Sequence, residues 1–190
     1  MAEQTKKGLL KEVFEWLEAI VFSLSIVVLI FTFLFRVVGV DGSSMFPTLH
    51  HKDRVIITGL FWKPAQGDIV VVTQPNPMNE PLIKRIIALE GQTVEFDFSQ
   101  GLIKVDGVEL QESYIADKTT FQGDLKEQDT VVVEKDHVFV MGDNRNNSKD
   151  SRDDDIGQIH TRYLLGKAVF RIFPFTGFGI IKYDDLSFAK

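Results

Sequence analysis

Apolar and polar residues follow two contrasting patterns along this chain. From Ala19 to Phe35 no residue carries a charge, and apolar residues continue through Val37, Val38 and Val40. A helix needs about 20 mostly apolar residues to cross a bilayer, so the pattern predicts a transmembrane helix over residues 16–38. The alternative is a cleaved signal peptide. However, the uncharged run is longer than the usual apolar core of about 7–15 residues, and no clear Ala-x-Ala-like site follows it.

Beyond residue 40 the pattern changes to short runs rich in β-branched residues, and we find no convincing helical period. The runs predict strands over 54–58, 68–73, 82–89, 93–98, 102–105, 130–133, 137–141 and 167–173. Asp106-Gly107 predicts a tight hairpin turn between two of these strands. Many short strands separated by turn residues indicate an all-β domain, either a barrel or a sandwich.

The same patterns predict the domain organisation. A tail over 1–15 precedes the predicted transmembrane helix over 16–38, and a β-rich domain follows over 39–190. A more polar stretch over about 95–130 carries no candidate chemistry and is interpreted as an inserted cap subdomain. Positive charges are nearly balanced on the two sides of the helix and do not decide its orientation. Because the tail is short, we expect the N-terminus inside and the domain outside.

Composition excludes several classes of function. The chain has 190 residues, a net charge of −6 and no Lys/Arg cluster outside its tail, which disfavours binding to nucleic acid. It has no cysteine, so disulfides, thiolate metal sites and cysteine nucleophiles are absent. We expect no cofactor and no metal.

Ser44 is the first candidate for chemistry. It lies between Gly42 and Pro47, in a stretch that suits neither a regular helix nor a central strand. A turn of this kind can direct a hydroxyl and a main-chain N–H to one point, as a serine nucleophile with an oxyanion hole requires. The alternative is an ordinary turn serine that hydrogen-bonds nearby backbone.

Lys84 is the strongest candidate for a base. In the predicted strand it shares a face with Leu82, Ile86 and Ala88. Burial lowers the pKa of a lysine and makes it a usable base near neutral pH. A lysine that extends to water from the edge of a barrel is the alternative. The histidines, none of which has an informative context, are His50, His51, His137 and His160.

A third cluster is the polar segment 141–152, which follows a predicted strand. Its ordinary interpretation is a solvated loop, and the EF-hand calcium pattern fails because Arg145 occupies a ligand position. Asp143 with Arg145, and Asp150 with Arg152, are expected to form ion pairs that stiffen the loop. The following Asp153-Asp154-Asp155 is interpreted as a solvated charge run.

Together these segments resemble type I signal peptidases, the membrane-anchored serine proteases that remove signal peptides from exported proteins. The match is to the short, single-span branch of the Gram-positive type and covers essentially the whole chain in order. The matching segments after the anchor are Gly42-Ser43-Ser44-Met45-Phe46-Pro47-Thr48-Leu49, Gly67-Asp68-Ile69-Val70-Val71, Lys84-Arg85-Ile86-Ile87 and Gly142-Asp143-Asn144-Arg145-Asn146-Asn147-Ser148-Lys149-Asp150-Ser151-Arg152.

The resemblance implies a role for each site residue. Ser44 would be the nucleophile and Lys84 the general base, while Ser148 would orient the lysine. A supporting polar network would comprise Asp143, Arg145, Asp150 and Arg152. The main-chain N–H of Ser44 would be one oxyanion donor. Gly42 stands where some branches carry a serine as second donor, so that donor is either a main-chain group or the Ser43 hydroxyl.

The resemblance also implies substrate and location. The substrate would be an extended segment of Ala-x-Ala type in the signal peptide of an exported pre-protein. It would bind as an added strand between 40–44 and 82–84, with Val40, Met45, Leu82 and Ile83 near its small side chains. The chain would lie in the cytoplasmic membrane, close to the secretion translocase.

Two other functions are compatible with parts of this pattern. Self-cleaving regulators of the SOS-repressor type are similar in using a Ser/Lys pair on a related β fold, but they carry a DNA-binding domain where this chain has a predicted bilayer span. A catalytically silent scaffold is disfavoured because Ser44, Lys84 and Ser148 are all present. Four phenylalanines between 170 and 178 are interpreted as ordinary core, with contact to lipid as the alternative.

Overall fold

The computed structural model describes residues 2–59, 62–126, 128–181 and 187–188. The chain divides into two compact units, Met1–Arg36 and Val37–Lys190.

The first unit is one long helix, α1 (Ala2–Leu34). Large apolar side chains on it are exposed, among them Trp16 and Phe22. In the part of the chain that the structure describes, no helix combines the length and the apolarity needed to cross a membrane. The predicted helical end at Val38 is wrong, because strand β1 begins at Phe35. The β-branched residues Val37 and Val38 favour a strand, and β1 pairs with the next strand along the chain.

The second unit contains a large antiparallel sheet. Its strands lie in the order β1-β2-β11-β3-β4-β9-β10, and β12 pairs with β11 outside this path. Their bounds are β1 (Phe35–Gly39), β2 (Arg54–Thr58), β3 (Ile69–Val72), β4 (Leu82–Leu89), β9 (His137–Met141), β10 (Ile159–His160), β11 (Leu164–Phe173) and β12 (Gly179–Ile180). The predicted all-β domain is confirmed as mostly β, with two short 3-10 helices among its described strands.

A second antiparallel sheet has the order β13-β7-β6-β5-β8. Its strands are β5 (Thr93–Asp97), β6 (Leu102–Val105), β7 (Val108–Gln111), β8 (Thr130–Val132) and β13 (Ser187–Phe188). The Asp106-Gly107 turn joins β6 to β7 with both residues at positive φ, as the hairpin signal predicted. Strands β6 and β7 and the ends of β5 and β8 fall within 95–130, and the assignment of this stretch as a separate subdomain stays a prediction.

Strand β4 connects three clusters of apolar core residues. Ile83 packs in a cluster with Met45 and Leu49, whereas Ile86 packs in a second cluster with the buried valines of β3 and β9. Ile87 and Ala88 both lie in the third cluster, with the second sheet. The register between β4 and β9 shifts between Ile86 and Ala88. The predicted shared face of Lys84 and Ala88 is therefore wrong, since a bulge ends the alternation.

The C-terminal phenylalanines are mostly not core, so that part of the interpretation is wrong. Phe173, Phe175 and Phe178 are 45%, 80% and 59% exposed, and Phe170 is half-buried. They lie on the hairpin formed by β11, a short 3-10 helix and β12. Among the described strands, β12 pairs with β11 alone, so the other edge of β12 is unpaired.

Candidate active site

Ser44 and Lys84 meet in the structure, 40 residues apart in sequence. The Lys84 Nζ lies 2.8 Å from the Ser44 Oγ, at hydrogen-bond distance. Lys84 is only 3% exposed, because it lies on β4 with β3 paired beside it. A lysine that extends from the barrel edge to water is therefore ruled out, and the predicted pair of nucleophile and base has the required contact.

Burial changes the acidity of Lys84. Loss of hydration lowers its pKa from 10.5 to about 8, while the nearby Asp150 carboxylate raises it and the Arg152 guanidinium lowers it. These two neighbours act on the Lys84 pKa in opposite directions, and they form a buried ion pair of their own. Desolvation therefore decides the outcome, and near neutral pH a useful fraction of Lys84 is uncharged.

The backbone of the Ser44 turn is held by the polar loop that follows β9. The Asn144 N–H donates to the Ser44 carbonyl at 2.9 Å, and the Asn144 side chain donates to the Ser43 carbonyl at 3.1 Å. The Asn147 amide donates to the Ser43 hydroxyl at 3.1 Å. Sequence reasoning missed both asparagines as functional residues. Their only signal was a loop dense in short polar side chains.

Gly142 occupies the closest point between this loop and the serine turn. A Cβ at Gly142 would collide with the Ser148 side chain and lie 2.5 Å from the Ser44 carbonyl oxygen. The Gly142 N–H donates to the Asp150 carboxylate at 2.9 Å, and its carbonyl accepts from Arg145 Nε at 3.1 Å. The absence of a side chain at Gly142 thus sets the distance between the loop and Ser44, a role that the sequence analysis did not assign.

Ser148 lies in the site, but its predicted role is not seen. It is 6% exposed, and among the described residues its hydroxyl has no hydrogen-bond partner. The orientation of Lys84 by Ser148 therefore stays a prediction.

The predicted ion pair between Asp150 and Arg152 is confirmed. Arg152 Nε and Nη2 donate to the two carboxylate oxygens at 2.8 and 2.9 Å, and both residues are buried. Burial alone would raise the pKa of Asp150, but the hydrogen bonds and charge of Arg152 hold it below its usual value. Asp150 therefore remains a carboxylate beside Lys84.

The predicted pair of Asp143 and Arg145 is wrong. Asp143 binds Arg85 instead, whose Nε and Nη2 donate at 2.8 and 2.6 Å, and the Thr48 hydroxyl donates to the same carboxylate at 2.5 Å. Arg85 also donates to the Gly67 carbonyl at 3.0 Å. Arg85 was missed as a site residue, although an arginine between Ile83 and Ile87 on one strand face signals a buried partner.

Arg145 pairs with a residue of the segment that was interpreted as a cap without chemistry. Its guanidinium donates to both carboxylate oxygens of Glu112, one of them at 2.6 Å. It also reaches the Thr119 hydroxyl at 3.1 Å and the Tyr114 hydroxyl at 3.2 Å. Arg145 is therefore paired with Glu112, which follows β7 of the second sheet, and not with Asp143.

A groove of about 350 Å³ opens beside the two catalytic candidates. Ser44 and Lys84 line it, and the four predicted substrate-binding residues line it as well: Val40, Met45, Leu82 and Ile83. In the described structure, β1 is the end strand of its sheet, and β9 begins to pair with β4 only at Arg85. The groove is therefore bordered by two strand edges with free backbone groups.

The Ser44 hydroxyl is hydrogen-bonded to Lys84, and the histidines make other contacts. The His51 ring accepts a hydrogen bond from the Gly42 N–H at 3.3 Å, and His50 stacks edge-on against Phe46. His137 and His160 lie against each other, with ring centroids 4.9 Å apart. Among the described residues, no cluster of His, Asp or Glu has the arrangement of a metal site.

We predict that Gly142→Ala slows acylation of Ser44 by a serine-reactive probe by about 10²-fold, since a shift of about 1 Å in a reacting group has this effect. Labelling rates measured by intact-protein mass spectrometry test this. Gly91→Ala is the control for backbone strain alone, because Gly91 has a φ of +79° but its Cβ would meet open space. Wild-type labelling in Gly142→Ala would show that the close approach does not matter.

Comparison with known proteins matches the chain to one family. Residues 13–173 match the family described as "Signal peptidase, peptidase S26". Signal peptidase I of Bacillus amyloliquefaciens is 36% identical over 185 residues, covering 92% of this chain and 95% of that protein. Signal peptidase I S of Bacillus subtilis is 37% identical over 177 residues, covering 87% and 91% respectively. A crystal structure of a signal peptidase I from Enterococcus faecalis is 30% identical, with a TM-score of 0.44 over 56% of this chain and 97% of that one.

The family match spans most of the chain, including all the residues that the site brings together between Ser44 and Arg152. The relatives are matched over nearly their full lengths. This chain therefore belongs to the signal peptidase family, peptidase S26.

Proposed function

We propose that this member of the signal peptidase family cleaves signal peptides from exported pre-proteins with Ser44 as nucleophile and Lys84 as general base. The observation that carries the proposal is the 2.8 Å contact between the Lys84 Nζ and the Ser44 Oγ, made by a lysine with a pKa of about 8. A neutral amine at this distance can accept the serine proton as the hydroxyl attacks.

The reaction follows from these two groups. The Ser44 Oγ attacks the scissile carbonyl while Lys84 takes its proton. The resulting ammonium returns the proton to the departing amine as the peptide bond breaks and the acyl-enzyme forms. Neutral Lys84 then removes a proton from water, which attacks the ester. When this second tetrahedral intermediate collapses, the protonated lysine returns the proton to Ser44.

The oxyanion would be stabilised by the Ser44 N–H and a second donor. The Gly42 N–H already donates to His51, which disfavours it. The Ser43 hydroxyl accepts from Asn147, so its own proton is free to donate to another acceptor. Ser43 is thus the better supported of the two candidates.

Substrate would bind in the groove as an added strand. In the predicted edge 40–44 the Val40 N–H and carbonyl are already bonded to Asp53 and Lys52. The edges that can pair with the backbone of an extended peptide are therefore β1 and residues 82–84. Met45 is 1% exposed and Val40 is 6% exposed, so the floor of the groove is close-packed apolar surface. A floor of this kind suits small side chains, in keeping with an Ala-x-Ala segment.

We further propose that α1 holds the chain at a lipid bilayer. The support is the uncharged run from Ala19 to Phe35 together with the exposed apolar side chains of the helix. Exposed apolar surface of this extent is costly in water and is covered by lipid or by protein. The single-pass arrangement with the N-terminus inside, and proximity to the translocase, stay predictions.

Membrane attachment predicts that the full chain stays in the membrane pellet after extraction with alkaline carbonate. Leu24→Arg with Val28→Arg should release it to the supernatant, because charged side chains are costly in hydrocarbon. Glu15→Arg is the control and should stay in the pellet. Release of the unsubstituted chain would contradict attachment through α1.

The catalytic assignment predicts that purified protein cuts a pre-protein after Ala-x-Ala. Ser44→Ala and Lys84→Ala should each lower the cleavage rate by about 10³-fold or more, since each removes a group that takes part in the transition state. Lys104→Ala, an exposed lysine on β6, should cleave at the unsubstituted rate.

The outcomes also separate the other functions. Retained cleavage in Lys84→Ala would exclude the proposed base. A catalytically silent scaffold would cut nothing, and a self-cleaving regulator would shorten its own chain while leaving the pre-protein intact.

A further inference from the structure

The second sheet supplies a buried carboxylate beside the catalytic loop. Glu112 follows directly after β7, and its side chain is only 6% exposed. Both of its carboxylate oxygens accept from the fully buried guanidinium of Arg145. The Tyr114 hydroxyl donates to the same carboxylate at 2.7 Å and accepts from Arg145 at 3.2 Å. Glu112 and Tyr114 thus fix the orientation of the Arg145 side chain.

Arg145 is linked to the serine turn through Gly142. Its Nε donates to the Gly142 carbonyl at 3.1 Å. Gly142 in turn lies against the Ser44 carbonyl, with no room for even a Cβ between them. The Arg145 carbonyl also accepts from Arg152 Nη2 at 2.7 Å. Both the side chain and the main chain of Arg145 are therefore hydrogen-bonded within the loop. A continuous path of direct contacts therefore runs from Glu112 through Arg145 and Gly142 to Ser44.

We propose that Glu112 and Tyr114 are positioning residues for Ser44. They act through Arg145 and Gly142, and neither one touches substrate. The proposal rests on the Ser44–Lys84 dyad and adds a function for the second sheet: it fixes the distance between the catalytic loop and the nucleophile.

Stability alone does not account for this arrangement. A buried ion pair contributes little net stability, because removing both charges from water costs about as much as their attraction returns. A pair that is bidentate, buried and further bonded to a tyrosine does, however, restrict the guanidinium to one orientation. The Gly142 carbonyl depends on that orientation for its hydrogen bond.

Lys84 is affected by a different set of charges. The charges with the largest effects on its pKa are Asp150, Arg152, Asp143 and Asp153. Loss of Glu112 should therefore leave the pH midpoint of the reaction in place while lowering its rate. This separates a positioning effect from an electrostatic effect on the base.

The test is steady-state cleavage of a pre-protein by the full chain, together with the rate of Ser44 labelling and a thermal melt. Glu112→Gln should lower kcat and the labelling rate together by about 10–100-fold, with KM within about 2-fold and the pH midpoint unchanged. Tyr114→Phe removes only the hydroxyl and should lower kcat by a smaller factor, about 3–10-fold. Glu109→Gln makes the same change three residues earlier in sequence, on β7, and should behave as the unsubstituted chain.

If Glu112→Gln fails to fold, Tyr114→Phe carries the test. Unchanged kcat in every variant that folds would overturn the proposal. So would a loss of activity matched by an equal loss of active sites in a titration with the serine probe, because it would reflect unfolded protein. Ser44→Ala runs in parallel: if it retains cleavage, the dyad itself is wrong, whereas an inactive Ser44→Ala beside a normal Glu112→Gln refutes only the positioning role.

Discussion

The burial of one lysine is the constraint on which the rest of this site depends. Moving the pKa of Lys84 from 10.5 to about 8 corresponds to roughly 3 kcal/mol of disfavoured charge. The fold bears this cost whenever Lys84 is protonated. Because the folded state binds this proton more weakly than the unfolded state, the contribution of Lys84 to stability rises as the pH increases from about 8 toward 10.5. Strand β3 pairs with β4 beside Lys84, and the lysine amine faces Ser44. The packing of this sheet compensates for the cost of burying the charge.

Three buried arginines support this lysine from different sides. Arg152 balances Asp150, so that the carboxylate beside Lys84 does not restore the lysine's charge. Arg85 ties Asp143 to the strand that carries Lys84, and Thr48 ties the same carboxylate to the serine turn. Arg145 connects the catalytic loop to Glu112 of the second sheet. Each guanidinium binds its carboxylate through two nitrogens, which a lysine at the same position could not do. The polar network therefore fixes the geometry of the site, and the apolar clusters supply most of the stability.

Much of the fold and the two central residues of the site could be predicted from the sequence. The features that were not predicted have physical causes. Strand β4 was predicted to the residue, as were β6 and β9, because alternation and β-branched content are local signals. Local signals made Ser44 and Lys84 candidates, and the resemblance to signal peptidases selected them. The partners of Asp143 and Arg145 were not predictable in this way, since Arg85 and Glu112 are distant in sequence and no period links them. The bulge before Ala88 and the strand at Phe35 depended on pairing with other strands, which propensity does not specify. Gly142, Asn144 and Asn147 resembled ordinary loop residues in the sequence, because their roles depend on contacts with the distant serine turn.

The ionisation of Lys84 is the quantity that tests this account most directly. Selective ¹³C labelling of lysine side chains and an NMR titration of the full chain would follow the Cε signal of Lys84, assigned by its loss in Lys84→Met. The account predicts a midpoint at about 8. It also predicts that Ser44→Ala keeps a lowered midpoint, because burial and not the serine is its main cause. A midpoint near the ordinary lysine value of about 10.4 would show that Lys84 is charged at neutral pH and would contradict its role as the base.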